Sequence, residues 1–158
     1  MINGEIINRL NSLHSQAEPE KYDEFFEWLF IDNRQLLDID KLEMTDIPIL
    51  CQAFHDKCFY FDFMFDLVHI IEYIPCEISD YLTQIAISLP NMKNASEWAE
   101  TLIARILNGS EYFDELINIC SGFSEESKGA ITDLLNTIKS ENDGFDERVD
   151  RLIGEMYK

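Results

Sequence analysis

A line of carboxylates around one histidine is the feature of this sequence that best matches a chemical site. Asp62, Asp66, His69 and Tyr73 follow one another at separations of four, three and four residues, which places them on one face of a helix. Three interpretations stay open: a solvated seam with a local Asp–His contact, a binding face for a basic partner, or a metal site. Two carboxylates and a histidine can ligate iron or zinc, but no other helix carries the Glu-x-x-His motif that would complete a di-iron set.

A nucleophilic site is the second chemistry to consider. Cys51 and His55 stand four residues apart, a spacing that brings a thiol beside an imidazole on a helix. The sequence offers no third group to orient the histidine and no oxyanion site. It also lacks the nucleophile-elbow, zinc-protease, P-loop and dinucleotide-binding motifs, and its six glycines are scattered. We therefore predict a protein that is not an enzyme, with no catalytic residues, no metal and no cofactor.

The charge balance narrows the choice of partner. The 158 residues include 12 Lys and Arg against 31 Asp and Glu, a net charge of −19. This balance argues against binding nucleic acid or an anionic membrane surface, since both require clustered cations. It permits a basic protein partner. The first residues do not form a signal peptide, no apolar run is long enough to span a membrane, and no cysteines form a C-x-x-C pair. We therefore expect a cytoplasmic protein with reduced cysteines.

Apolar residues recur with helical spacing along the whole chain, and no segment alternates as a strand does. The sequence predicts an all-α fold of eight or nine short antiparallel helices in a compact array, which could consist of HEAT-like hairpins, forming a single domain over 1–158. Pro19 marks one helix start, and Asn94, Ser110 and Ser124 are candidate N-caps. The helices are expected at about 2–14, 19–31, 46–55, 59–73, 77–89, 95–107, 111–121, 125–139 and 145–157.

The helix expected at 59–73 is apolar nearly all round, so we predict that it is buried on most sides. The polar line of this helix (Asp62, Asp66, His69 and Tyr73) therefore contrasts with its other residues, and Glu72 lies at the edge of that line. A second acidic patch, Asp23, Glu24 and Glu27, lies on the helix expected at 19–31. Trp28 lies beside this patch and outside the apolar stripe, either as a satellite core residue or as an exposed interface anchor.

Two segments together resemble a known family. Residues 64–72 read MxxLVHxIE and residues 95–108 read AxEWAxxLxxRILN, which is similar to immunity protein family 30 of bacterial polymorphic-toxin and contact-dependent growth inhibition systems. The resemblance implies an all-helical, non-catalytic cytoplasmic protein that binds the toxic C-terminal domain of a cognate effector and blocks it. Such toxins are often basic nucleases, and an RNA-cleaving toxin of the EndoU type is the narrower expectation.

The residues that carry the resemblance also have structural interpretations. Besides His69, they include Trp98, on an apolar helical face and therefore expected in the core. Arg105 stands among apolar residues and would need a partner if it were buried. Asn108, just before Gly109, is expected to be a helix C-cap.

These observations lead to one hypothesis and one alternative. In the hypothesis, an acidic helical surface covers the basic substrate-binding cleft of a nuclease toxin. The alternative is a helical-repeat scaffold that binds a partner peptide or helix in an apolar groove. The expected toxin contacts are Asp62, Asp66, Glu72 and Tyr73, with a second patch of Asp23, Glu24, Glu27 and Trp28.

Overall fold

The computed structural model describes residues 1–14 and 18–158. Within these ranges it contains nine α-helices, joined by short 3-10 turns and one π-helical segment, and no β-strand. The prediction of an all-α fold is therefore confirmed. The helices are α1 (Gly4–His14), α2 (Pro19–Phe26), α3 (Ile47–Cys51), α4 (Phe61–Tyr73), α5 (Ile78–Ser88), α6 (Ser96–Asn108), α7 (Ser110–Ile119), α8 (Glu125–Glu141) and α9 (Asp146–Met156).

The contacts divide the chain into two compact units, Met1–Cys76 and Glu77–Lys158. The first unit contains α1 to α4 and the second contains α5 to α9. The expectations of a single domain and of HEAT-like hairpins stay predictions. In the described part of the chain, no helix has both the length and the apolar character needed to cross a membrane.

The first unit has an aliphatic and aromatic core. Helix α2 begins at Pro19, as predicted, because a proline has no N–H to lose at the first helical position. The chain then continues from Glu27 to Asp32 as a π-helix, a wider turn than the regular helix expected up to residue 31. The most completely buried side chains of this unit are Ile6, Leu10, Phe26, Leu29, Ile47, Leu50, Met64, Leu67 and Ile71.

Helix α3 is shorter than the sequence predicts. It ends at Cys51 instead of continuing to residue 55, so Cys51 and His55 do not share a helix. His55 is buried, its Nδ1 accepts a hydrogen bond from the backbone N–H of Lys57 at 3.1 Å, and its ring contacts Tyr22. The histidine therefore has a structural role in the loop before α4.

The second unit packs five helices around Leu82, Ile85, Leu102 and other aliphatic residues. Ser124 is the N-cap of α8, as predicted, and its hydroxyl accepts from the backbone N–H of Ser127 at 3.1 Å. The N-caps predicted at Asn94 and Ser110 are wrong. Ala95 and Gly109 occupy those positions, because α6 begins one residue later than expected and α7 one residue earlier.

Candidate functional site

One side of α4 is exposed. We call it the α4 face. It lies opposite the buried residues Met64, Leu67 and Ile71, and its members span an arc of about 140° at 100° per residue. The α4 face comprises Phe61, Asp62, Phe65, Asp66, His69, Glu72 and Tyr73.

The exposed side of this helix carries apolar as well as polar side chains. Phe61 is 50% exposed, Phe65 is 40% exposed, and Phe59, just before the helix, is 81% exposed. The sequence pattern does not identify these three phenylalanines as surface residues. A signal was available, because Phe65 stands four residues before His69 and seven before Glu72 and so shares their side of the helix, and Phe61 lies one turn before Phe65.

The two aspartates of the α4 face have no internal partners. Among the described residues, neither Asp62 nor Asp66 forms a hydrogen bond or an ion pair, and both are exposed. His69 points its Nδ1 towards Glu72, 3.7 Å from Oε2, so the local contact of the seam involves a glutamate and not an aspartate. The structure thus leaves the Asp62 and Asp66 carboxylates available to an external cation.

The metal interpretation can be compared with the geometry. Across residues 1–14 and 18–158, no group of three or more His, Cys, Asp or Glu side chains is arranged to hold a metal ion. Asp62, Asp66 and His69 therefore do not form such a group, although their sequence spacing places them on one helical face.

The structure joins the second acidic patch to the beginning of α4. Asp23 Oδ1 accepts a hydrogen bond from the backbone N–H of Phe59 at 2.9 Å, and the Tyr60 hydroxyl donates to Glu27. The Glu27 carboxylate raises the pKa of Tyr60, because the hydrogen bond favours the protonated phenol. Asp23 and Glu27 therefore hold the segment that leads into the α4 face, and the two predicted patches adjoin within the first unit.

The other members of the second patch also have internal partners. Glu24 forms an exposed ion pair with Lys21, with Nζ and Oε2 3.4 Å apart. Trp28 is partly buried: the guanidinium of Arg9 lies 3.9 Å from its ring centroid, and the ring of Phe25 lies 6.0 Å away. The positive charges of Arg9 and Lys21 make this surface mixed in charge, unlike the α4 face.

A run of aromatic rings connects the interior of the first unit to its surface. Phe26, fully buried, contacts Phe30 at 5.8 Å between ring centroids, and Phe30 stacks on Phe63 at 5.1 Å. Phe63 stacks on Tyr60 at 5.1 Å, and Tyr60 meets exposed Phe59 edge to face at 5.3 Å. These distances are typical of favourable ring pairs, so the packing of the interior holds Tyr60 and Phe59 in position.

Cys58 is buried near Asp23 and is held as a neutral thiol. Its Sγ donates to the carbonyl of Pro19 at 3.5 Å. Burial, together with the charge and a hydrogen bond of the nearby Asp23 carboxylate, raises the pKa of the Cys58 thiol to about 12. A thiol with this pKa is a poor nucleophile near neutral pH. Burial also raises the pKa of neighbouring Tyr22, and the Cys58 thiolate charge adds to that effect.

The remaining motif residues lie in the second unit, on α6. Trp98 is 2% exposed and packs in the interior of this unit. Arg105 is exposed, so its charge is not buried. The expectation that Asn108 is a C-cap is wrong by one residue. Asn108 is the last helical residue and Gly109 is the cap, because Gly109 is the first residue to leave the helical region, with φ −88° and ψ 114°.

Comparison with known proteins assigns the chain to a family. The family model described as Immunity protein 30 matches residues 9–116. The search of curated proteins and the search of solved structures each give no match. The matched range covers more than half of the chain, begins within α1, ends within α7, and includes both the α4 face and the motif on α6. The chain therefore belongs to the immunity protein 30 family.

Proposed function

We propose that this immunity protein neutralises a basic nuclease toxin by laying the α4 face over the toxin's substrate-binding cleft. Membership of an immunity protein family supports a cognate toxin as the partner. That the toxin is a nuclease, and that its substrate-binding cleft is the site covered, are our own additions to that role. The observation that carries this extension is the pair Asp62 and Asp66, two exposed carboxylates with no partner in the described part of a chain of net charge −19.

The chemistry of the two surfaces supports this pairing. A nuclease must gather cationic groups in its cleft, because its substrate carries one negative charge per nucleotide. A rigid helix that presents carboxylates at four-residue spacing offers the same cleft a fixed row of negative charge. Glu72 adds a carboxylate towards the C-terminal end of α4, and the exposed Tyr73 beside it adds a neutral phenol. The acidic surface would raise the rate of encounter more than the intrinsic affinity.

The proposal extends to the biological setting. The toxin would be the variable C-terminal domain of a secreted effector of a polymorphic-toxin or contact-dependent growth inhibition system, with RNA as its substrate. The inhibitor would act in the cytoplasm of the cell that it protects. The reading frame directly upstream of this chain is the place to look for that effector.

The test measures association of the chain with the C-terminal domain encoded by that upstream frame, inactivated at its catalytic residue. The double variant Asp62→Lys, Asp66→Lys should lower the association rate constant by roughly tenfold at low ionic strength, and the loss should diminish as salt screens the charges. The matched control is Glu126→Lys, Asp133→Lys, which makes the same change in net charge on exposed positions of α8.

Two outcomes would contradict the proposal. Equal effects of the two double variants would mean that net charge matters and the α4 face does not. Association that does not depend on salt in the unaltered chain would instead favour the scaffold that binds a partner helix in an apolar groove. A protection assay in cells expressing the active toxin gives an independent readout of the same two variants.

A further inference from the structure

We infer that Phe59, Phe61 and Phe65 are the apolar anchors of the toxin interface, and that they enter a pocket on the toxin whose rim is cationic. The inference rests on the proposed function and adds to it the residues that would set the lifetime of the complex. It attributes a large part of the binding affinity to these three phenylalanines, which the sequence pattern does not identify as surface residues.

Exposure is the first observation. Three phenylalanines with exposures of 81%, 50% and 40% lie within seven residues, on and next to one helix face. Single exposed apolar residues are ordinary on protein surfaces, but grouped ones mark interaction sites. Aromatic side chains are also the ones that dominate binding energy at protein interfaces, where a few central residues carry most of it.

Preorganisation is the second observation. Phe59 is held by an edge-to-face contact with Tyr60 and by the hydrogen bond from its backbone N–H to Asp23. Phe61 and Phe65 pack against each other at 6.1 Å between ring centroids on successive turns of α4. Side chains fixed before binding lose less conformational entropy when a partner immobilises them, so more of the contact energy contributes to affinity.

Charge identifies the kind of occupant. Phe61, Asp62, Phe65 and Asp66 all lie within the exposed arc of α4, so two of the three anchors share their surface with two carboxylates. A partner that covers the rings must therefore satisfy carboxylates at the same time, which calls for lysines or arginines around an apolar pocket. A second copy of this chain would bring −19 against −19, and an anionic lipid surface would also be repelled.

The two kinds of side chain should be separable by kinetics. Charges at the edge of an interface act mainly on association and are screened by salt, whereas buried apolar anchors act mainly on dissociation. We therefore expect the aspartates to govern the association rate constant and the phenylalanines to govern the dissociation rate constant.

The experiment measures both rate constants with the inactivated toxin domain from the upstream frame, at low and high salt, for Phe59→Ser, Phe61→Ser and Phe65→Ser. The matched control is Ile87→Ser on α5, an apolar residue that is 50% exposed, as Phe61 is. At least one phenylalanine variant should dissociate roughly 30-fold faster at both salt concentrations, the effect of losing an interface hot spot. Ile87→Ser should dissociate at the unaltered rate. Far-UV circular dichroism and thermal unfolding confirm that each variant is folded.

The outcomes distinguish this inference from the proposed function. Salt-sensitive binding by the unaltered chain, with all three phenylalanine variants dissociating like Ile87→Ser, would overturn the anchors and leave the proposed function standing. Failure of the unaltered chain to bind or protect would remove both. A shift from dimer to monomer in the phenylalanine variants, seen by sedimentation, would mean that the rings cover a second copy, which also overturns the inference.

Discussion

Ser127 should stabilise the second unit by supplying a hydrogen bond that the backbone cannot make. In a regular helix the carbonyl of Ala86 would accept from the N–H of residue 90, but residue 90 is proline and has none. Ser127, 4% exposed on α8, donates its hydroxyl to that carbonyl at 2.7 Å. Ser127→Ala therefore leaves a buried carbonyl without its side-chain donor, which costs about 1–3 kcal/mol.

Part of this cost is offset, because alanine has a higher helix propensity than serine by up to about 0.5 kcal/mol. The free energy of unfolding should fall by roughly 0.5–2.5 kcal/mol, or about 1–10 °C in Tm for a chain of this size. Urea and thermal unfolding measure both quantities. Thr137→Ala is the matched control, since this exposed hydroxyl on α8 bonds a carbonyl of its own helix. It should stay within about 0.5 kcal/mol of the unaltered chain.

A double-variant cycle tests the reason for the loss. Pro90→Ala restores an N–H at residue 90, so Ser127→Ala should cost less in that background than in the unaltered chain. The reasoning is refuted if Ser127→Ala is as stable as Thr137→Ala, or if its cost is the same with alanine at residue 90.

Three further predictions concern the first unit. The raised pKa of Cys58 means that, as the pH rises, the unfolded chain loses this thiol proton at a lower pH than the folded chain does. The contribution of Cys58 to the free energy of unfolding is therefore complete below pH 9 and is lost as the pH rises towards 12. Cys58→Ala should reduce this alkaline loss in a pH series of urea unfolding curves, and an unchanged slope would contradict the assignment. A thiol reagent at about pH 8 should modify exposed Cys76 well before buried Cys58, as peptide mass spectrometry can verify, and equal labelling would show that Cys58 is accessible. Phe30→Ala should lower the free energy of unfolding by about 3–5 kcal/mol because it removes the ring stacked on Phe63, and a loss no larger than that of Ile87→Ala would count against the aromatic run.

The sequence predicts the helices well because their signals are local. Apolar residues at helical spacing indicate each helix, and Pro19 and Ser124 mark two starting points by chemistry that involves only neighbouring residues. The shortening of α3 and the π-helical turn after α2 have no comparable local signal. They depend on how the surrounding segments pack, and the sequence does not display that packing.

The candidate site could be predicted only in part, because helical periodicity is a local signal and the packing around the helix is not. Periodicity places Asp62 and Asp66 on one helical line, and the structure exposes both. Periodicity cannot tell which apolar side of a helix receives a neighbour, so it does not reveal that half of Phe61 is exposed. Trp28 shows the converse: its position outside the apolar stripe allowed an exposed anchor, but Arg9, from a separate helix, covers its ring.

The run of rings from Phe26 to Phe59 connects interior residues to the exposed ring of Phe59, so the interior packing bears on the position of that ring. A replacement at Phe30 or Phe63 should alter the stack on which Tyr60 lies, and with it the position of Phe59. If Phe59 contacts the toxin as we propose, such interior replacements would readjust the fit while every surface residue stays unchanged. Sequence variation that matters for recognition is therefore to be sought beneath this surface as well as on it.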